Sequence, residues 1–144
     1  MKGKEWSSQE LMGNETVLVV EDDGNVRGIA VDILKHYGYR VLEAANGSEA
    51  LDLKARFEGT IDLIISDLMM PGMSGLELVQ HLHRTCPELK VMYVSGYAGE
   101  SIRKEELLTG GAHFVAKPYT PETLLRMVRA ALSRDGSAGP GAEA

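Results

Sequence analysis

The sequence predicts an α/β fold, a doubly wound parallel sheet of five strands with helices on both faces. Five short apolar runs alternate with helical segments along the middle of the chain. The runs are mostly apolar throughout, as expected for strands that helices cover on both faces. Five strands joined by right-handed crossovers favour the flavodoxin-like order 2-1-3-4-5. The length of 144 residues fits one domain.

Three of the runs are strongly apolar, and the second and the fifth are weaker. In the order 2-1-3-4-5 the second strand lies at an edge of the sheet, away from the point where the order reverses. It is also the strand with no candidate catalytic group at its carboxyl end. The predicted strands are 16–20, 39–44, 61–65, 91–94 and 112–116.

The first of five predicted helices is the clearest, because six apolar residues fall on one stripe. These residues are Val26, Ile29, Ala30, Ile33, Leu34 and Tyr37. Gly38 ends this helix, and 47–58 and 75–86 are predicted as the second and third. The fourth, near 99–109, is bracketed by glycines, which indicates loose anchoring. The last begins at 120–122, where a Thr hydroxyl caps it and Pro occupies the first turn.

Composition disfavours several classes of function. The 15 Lys and Arg against 21 Asp and Glu give a net charge of −6, which argues against direct binding of nucleic acid. The single cysteine, Cys86, rules out an intrachain disulfide and suits a reducing compartment. No apolar run approaches the ~20 residues that cross a bilayer, so we expect no membrane insertion and a cytoplasmic location.

The two ends of the chain differ from the middle. Residues 1–13 are polar, and 135–144 hold too few apolar side chains to offset chain entropy, so both are predicted as linkers or tails. The folded domain is predicted over 14–134. Trp6, the only tryptophan, and the pair Leu11 and Met12 could dock on this domain, although a single tryptophan in a tail is about as often idle.

Reactive side chains follow four of the five predicted strands. They are Glu21, Asp22, Asp67, Ser95 and Lys117. Because the carboxyl ends of parallel strands share one rim, these groups are expected to converge there. Two charges ~4 Å apart repel by about 4 kcal/mol at an effective dielectric of about 20, and a divalent cation relieves this repulsion between carboxylates. The pattern therefore predicts a site for Mg²⁺ and a phosphoryl group.

Carboxylates and phosphate oxygens are the ligands that Mg²⁺ commonly takes in proteins. Asp22 and Asp67 suit direct coordination, and Glu21 suits coordination through water. The backbone carbonyl of Met69 is expected to complete the shell.

Asp67 is also the candidate nucleophile. The Pro-Gly pair within 68–72 forces a turn after it, which leaves its carboxylate available to an incoming phosphoryl group. Lys117 offers a mobile positive charge for a phosphate oxygen, and Ser95 offers a hydroxyl donor.

Each of these signals also has a plain structural explanation. The acids at 21–23 could simply cap the first helix, and Asp67 could be an ordinary turn former. Capping does not explain the other strand ends, so the site is the better interpretation, and Asp23 alone is predicted as mainly a cap or loop residue. Met70 and Met73 could equally fill the core or form an adaptable contact surface.

Four strings make the chain resemble a known family. They are VVEDD at 19–23, SDLMMPGMSG at 66–75, VSGY at 94–97 and FVAKP at 114–118. In this order and spacing they resemble the receiver domain of bacterial two-component response regulators, over about residues 14–134. The entry to the first strand and the turn after Ser95 are most similar to receivers fused to hybrid sensor histidine kinases.

The resemblance implies a role for each matched side chain. It implies that Asp67 is the phosphoacceptor and that Glu21 and Asp22 hold Mg²⁺. Ser95 is similar to the switch hydroxyl of the family, and Lys117 is similar to its phosphate-binding lysine.

Two further features come from the same resemblance. Phe114 is similar to the switch aromatic, but phenylalanine lacks the hydroxyl of tyrosine, so an inward swing would act through packing alone. The peptide bond before Pro118 is expected to be cis.

The function that the resemblance implies is a phosphoacceptor domain of a phosphorelay, which promotes its own phosphorylation and hydrolysis but is no metabolic enzyme. A histidine kinase or a histidine phosphotransfer protein would donate the phosphoryl group. The surface of the fourth helix, fifth strand and fifth helix would then change and serve an output domain or a homodimer. The chain could be excised from a hybrid kinase or be a single-domain regulator.

Two other classes of function stay open. One is a hydrolase acting through an aspartyl phosphate, although the second acid usual in such enzymes is replaced here by Met69. The other is a degenerate receiver that only binds a partner.

Overall fold

A computed structural model describes residues 6–96 and 113–133, and within them five strands form one parallel sheet. The strands are β1 Thr16–Val20, β2 Arg40–Ala44, β3 Leu63–Asp67, β4 Lys90–Ser95 and β5 His113–Ala116. Their order across the sheet is β2-β1-β3-β4-β5, which confirms the predicted doubly wound topology.

One helix precedes the first strand, one follows the last, and the other described helices connect strands. They are α1 Ser8–Leu11, α2 Gly24–His36, α3 Gly47–Arg56, α4 Gly75–Thr85 and α5 Pro121–Leu132. The helix predicted near 99–109 lies outside the described residues. None of the helices in the described ranges has the length and apolar content needed to cross a bilayer.

The helices cover both faces of the sheet, as predicted. Val17 and Val19 of β1 pack into a core cluster with residues of α1, α2 and α5. Leu18 and Val20 of the same strand pack into a second cluster with residues of α3 and α4. All five residues of β1 are buried, which explains why the strand lacks polar alternation.

The third strand begins two residues later than predicted. The backbone N–H of Asp62 donates to the carbonyl of Thr16 at 2.9 Å, and a side-chain oxygen of Asp62 accepts from the N–H of Thr16 at 2.9 Å. The Asp62 carboxylate thus takes the place of a backbone carbonyl as hydrogen-bond acceptor for Thr16. Ile61, which was predicted as the first residue of the strand, is buried but lies before it. The strand β3 ends at Asp67, so Asp67 lies at the carboxyl end of the strand, as predicted for the site.

The predicted core stripe of α2 is wrong at one position. Ala30, Val31 and Leu34 are buried, whereas the side chain of Ile29 is 58% exposed. Ile29 lies about 100° around the helix from Ala30, and burial extends from Ala30 towards Val31 instead. The periodic pattern identified the helix correctly but misplaced the centre of its buried face.

Polar side chains cap the helices that follow the strands. The carboxylate of Asp23 accepts hydrogen bonds from two backbone N–H groups in the first turn of α2, which confirms its prediction as a cap. Asn46, Ser74 and Thr120 cap α3, α4 and α5 in the same way.

Residues 6–13, the described part of the predicted linker or tail, pack on the domain, the alternative that the sequence left open for this segment. Ser7 and Glu10 form a capping box that starts α1. Leu11 is buried in the core, and Trp6 packs against the same cluster, so Trp6 docks on the domain. The capping box and the buried Leu11 thus hold this polar segment on the domain. The boundaries at 14 and 134 stay predictions.

Candidate functional site

The carboxyl ends of β1, β3, β4 and β5 meet at one rim of the sheet. The β1–β3 ladder ends one residue before Glu21 and Asp67, which therefore lie side by side. The β4–β5 ladder pairs Ser95 with the residue immediately before Lys117. The rim thus brings together the reactive groups predicted from four separate strands.

Three carboxylates form a cluster at this rim. One carboxylate oxygen from each of Glu21, Asp22 and Asp67 lies within 4.8 Å of the others. Glu21 and Asp67 are buried, with 5% and 7% of their surface exposed, whereas Asp22 is exposed. Oxygen donors at this spacing, open to solvent on the side of Asp22, fit a magnesium ion that keeps part of its water shell.

Lys117 partly neutralises the cluster. Its Nζ donates to Oε1 of Glu21 at 2.9 Å and to Oδ2 of Asp67 at 3.2 Å, and its side chain is 23% exposed. Burial alone would lower the pKa of Lys117, but the hydrogen bond to Glu21 and the charges of both acids raise it. Lys117 is therefore a cation held between two buried carboxylates.

Burial has the larger effect at Glu21. Desolvation raises the pKa of Glu21 above its ordinary value, although the hydrogen bond from Lys117 and one from the backbone N–H of Asp23 act in the opposite direction. The negative charge of Asp67 adds to the increase. Two acids stabilise the charged form of Lys117, whereas Glu21 and Asp67 share one lysine between them. The two buried carboxylates are therefore only partly neutralised, and a further positive charge would stabilise them.

We expect Lys117→Met to destabilise the fold, because it leaves two buried carboxylates without their cation. The loss should be about 1.5–3 kcal/mol at pH 7, the usual contribution of hydrogen bonds to charged groups. The folded-state pKa of Lys117 is raised, so this stabilisation is complete below its ordinary pKa of 10.5 and disappears as the pH rises through the folded-state pKa. Urea unfolding at pH 7 and above pH 10.5 measures both effects.

Lys35→Met provides the control, since Lys35 is exposed on α2. Added Mg²⁺ should restore part of the stability of Lys117→Met, because the ion replaces the lost charge. A variant as stable as the wild type at pH 7 would contradict this account of the cluster.

The loop after β3 folds back onto Asp67. Oδ1 of Asp67 accepts from the backbone N–H of Met69 at 3.3 Å, and the N–H of Gly75 donates to the carbonyl of Leu68 at 3.0 Å. A Cβ at Gly75 would collide with the backbone carbonyl oxygen of Asp67. The start of α4 therefore packs directly on the backbone of the candidate nucleophile. Sequence reasoning missed this role, and the glycine straight after the Ser74 cap was its one signal.

The remaining predicted residues lie in different positions. Ser95 is the buried last residue of β4, and its carbonyl accepts from the N–H of Lys117 at 2.9 Å. Phe114 is half-buried on β5 and packs against the core cluster of α3 and α4. The peptide bond before Pro118 is cis, as the resemblance implies.

The methionines near the site differ in burial. Met70 belongs to the core, Met73 is half-buried and Met69 is 55% exposed. Met73 lines an open groove of about 550 Å³ that begins at Asp22 and runs between the start of α3 and the loop before α4. The groove therefore opens beside Asp22, the exposed acid of the cluster.

Comparisons with known proteins agree with this geometry. The family described as "Response regulator receiver domain" matches residues 17–129. The chain is 37% identical over 125 residues to the sensor kinase CckA of Brucella abortus (strain 2308), an alignment that covers 87% of this chain and 13% of the kinase. The alignments with two further curated relatives cover 49% and 52% of the length of those proteins. The chain therefore spans about half or less of the length of these curated relatives.

Solved structures share the fold over most of the chain. The receiver domain from the hybrid histidine kinase CckA has a TM-score of 0.69 and 39% identity, covering 82% of this chain and 99% of that one. The response regulator TrrA from Thermotoga maritima, solved in complex with Mg(2+)-BeF, has a TM-score of 0.70 and 30% identity, covering 82% and 99%. A family match over most of the residues, together with these relatives, shows that the chain belongs to the receiver domain family of response regulators.

Proposed function

We propose that the chain is a phosphoacceptor in a two-component phosphorelay and that Asp67 receives the phosphoryl group. The observation that carries this proposal is the set of three carboxylates, Glu21, Asp22 and Asp67, with Lys117 placed between two of them. A carboxylate beside a cation site and a lysine is suited to attack an electrophilic phosphorus.

The donor is a phosphohistidine of a histidine kinase or a histidine phosphotransfer protein. An oxygen of Asp67 attacks the phosphorus, a P–O bond forms and the P–N bond breaks. The electron pair leaves with the imidazole nitrogen, which takes a proton from solvent. The product is an acyl phosphate on Asp67, which carries about −1.5 to −2 charges by analogy with other phosphoresidues.

The chain's own residues prepare this transfer. Asp22 and Asp67 would hold Mg²⁺ directly, with Glu21 acting through water and the carbonyl of Met69 as a further ligand. The bound ion would supply positive charge to the phosphoryl oxygens. Lys117 would turn from Glu21 towards one of those oxygens. The complex of TrrA with Mg(2+)-BeF shows that a relative of the same fold binds Mg²⁺, which supports a metal site in this chain.

The readout we propose is a change of surface. Ser95 donates to the phosphoryl group, and Phe114 responds through packing because it has no hydroxyl. This surface would comprise β5, α5 and the segment 99–109, which lies outside the described residues, and it would serve an output domain or a second copy of the chain. In this account the chain is a signalling acceptor in the cytoplasm that also promotes loss of its own phosphoryl group.

We expect Asp22→Asn to weaken Mg²⁺ binding, because the exposed carboxylate of Asp22 is the acid of the cluster most open to a hydrated ion. The affinity should fall by about tenfold or more, at least the effect of losing an outer-shell partner of a metal site. Calorimetric titration with Mg²⁺ measures the change. Asp32→Asn, which removes an exposed acid of α2, is the control and should bind Mg²⁺ as the wild type does.

Equal Mg²⁺ affinity in the wild type and Asp22→Asn would remove Asp22 from the metal site.

A hydrolase acting on an external phosphate ester is the alternative function. Release of phosphate from such esters at many turnovers per chain would favour that hydrolase over a phosphorelay acceptor.

A further inference from the structure

Residues 6–13, here called the N-terminal strap, bind to the outside of the domain at α5. Leu11 is 6% exposed and shares a core cluster with buried residues of α5. The ring of Trp6 lies 5.8 Å from the guanidinium carbon of Arg126 on α5, at the distance of a cation–π contact. The strap lies outside residues 17–129, the span of the family match, and is therefore a feature of this chain beyond the matched domain.

The strap reaches α5 by a close crossing over the end of α2. The N–H of Gly13 donates to the carbonyl of Tyr37 at 3.0 Å, and a Cβ on Gly38 would strike the carbonyl oxygen of Gly13. Gly38 has a φ of +101°, a conformation that favours glycine. Two glycines thus let the backbones cross in contact, which fixes the path of the strap.

An ion pair holds the segment between the strap and β1 to α5. Nη1 of Arg129 donates to Oε1 of Glu15 at 2.8 Å and to the hydroxyl of Tyr39 at 3.0 Å. Arg129 is about one quarter exposed, so solvent screens this pair only in part. The helix α5 is therefore contacted at Arg126 by Trp6 of the strap and at Arg129 by Glu15, two residues after the crossing at Gly13.

The same helix is joined directly to the candidate phosphorylation site. Lys117, which contacts Glu21 and Asp67, lies three residues before Thr120, the cap of α5. Between them Tyr119 packs against the core cluster that contains Leu11, and it lines a small cavity beside Asp67. Lys117 is therefore linked, through Tyr119 and Thr120, to the first turn of the helix that the strap covers, so a backbone shift at Lys117 would reach that turn.

We propose that the N-terminal strap stabilises the unphosphorylated arrangement of α5, so that strap docking and phosphorylation of Asp67 oppose each other. The inference rests on the proposed function. In the docked structure Lys117 is paired with Glu21 and Asp67. A phosphoryl group draws Lys117 to new oxygens and shifts the cap of α5 relative to the strap. Linkage then requires that loss of the strap contact favours the phosphorylated state by the same factor.

Trp6 makes the docking directly measurable, because it is the only tryptophan of the chain. Quenching of its fluorescence by acrylamide reports its exposure in the unmodified protein and in the presence of Mg²⁺ with beryllofluoride, a mimic of a phosphoryl group on a carboxylate. We expect quenching to increase when beryllofluoride binds. Unchanged quenching in a sample that has bound beryllofluoride would overturn the proposal.

The reciprocal test uses Leu11→Asp, which removes the buried anchor, and Met12→Asp, whose side chain is 46% exposed, as the matched control. Calorimetric titration should give about fivefold tighter binding of beryllofluoride to Leu11→Asp, the lower end of usual coupling, and no change for Met12→Asp. Equal affinity in both variants would contradict the coupling. If Leu11→Asp fails to fold by circular dichroism, the quenching experiment on the wild type decides alone.

Failure of this proposal differs from failure of the proposed function. Mass spectrometry of the same wild-type sample after treatment with acetyl phosphate and Mg²⁺ shows whether one phosphoryl group is added. A labelled protein with an unresponsive Trp6 refutes the strap coupling only. An unlabelled protein that also fails to bind beryllofluoride refutes the proposed function, and the coupling with it.

Discussion

Asp67→Asn is expected to abolish phosphorylation of the chain by acetyl phosphate or phosphoramidate in the presence of Mg²⁺. The amide has the shape of the carboxylate and keeps an oxygen for the N–H of Met69, which donates to Oδ1 of Asp67 at 3.3 Å. The neutral amide is a much weaker nucleophile than the carboxylate, so phosphoryl transfer should stop while the local fold is kept. Mass spectrometry of the intact protein measures the loss of the added phosphoryl group.

Asp62→Asn is the matched control for this experiment. Asp62 lies just before β3 and accepts a hydrogen bond from the N–H of Thr16, a role that the amide oxygen of asparagine also fills. This variant should be phosphorylated as the wild type is. Wild-type labelling of Asp67→Asn would show that another residue is the phosphoacceptor and would refute the assignment.

Gly75→Ala is expected to damage both stability and phosphorylation. A Cβ at this position meets the backbone carbonyl oxygen of Asp67 and comes within 3.1 Å of Oγ of Ser66. No rotamer change relieves a clash with backbone, so α4 or Asp67 must move, at a cost of about 1–3 kcal/mol. A displacement of the nucleophile by ~1 Å slows transfer by on the order of 100-fold. Urea unfolding and the rate of labelling by acetyl phosphate measure the two effects.

Gly28→Ala separates this clash from the general effect of removing a glycine. Gly28 lies inside α2, and a Cβ there meets no atom within 4 Å. Alanine should therefore stabilise the protein by about 0.5–1 kcal/mol through helix propensity and leave labelling unchanged. If Gly75→Ala were stabilised like Gly28→Ala, the close packing of α4 on Asp67 would play no part in the site.

Much of the site follows from the sequence because the sheet topology does most of the positioning. Once the strands are assigned, Asp67 and Lys117 must lie at the same rim, whatever their separation along the chain. The order of the strands follows from the fold class that five alternating strands and helices predict, and the cap at Asp23 follows from a local signal. These features depend on apolar runs and capping residues, which are readable without coordinates.

Other features depend on distances between elements and are not readable in this way. The close approach of Gly75 to Asp67 is a contact between a helix and the strand before it. The exposure of Ile29 depends on how α2 is rotated against the sheet. The docking of Trp6 and Leu11 depends on one buried side chain in a polar segment, so average composition leaves it open and only the structure shows it.

The most direct test of the account is to locate the phosphoryl group in the wild-type protein. Reduction of the acyl phosphate with borohydride converts the modified aspartate to homoserine, which mass spectrometry of the peptides then assigns to one position. We expect conversion at Asp67 after treatment with acetyl phosphate and Mg²⁺, and none when the ion is removed with EDTA. Conversion at Asp22 or at any other acid, or equal conversion without Mg²⁺, would contradict this expectation.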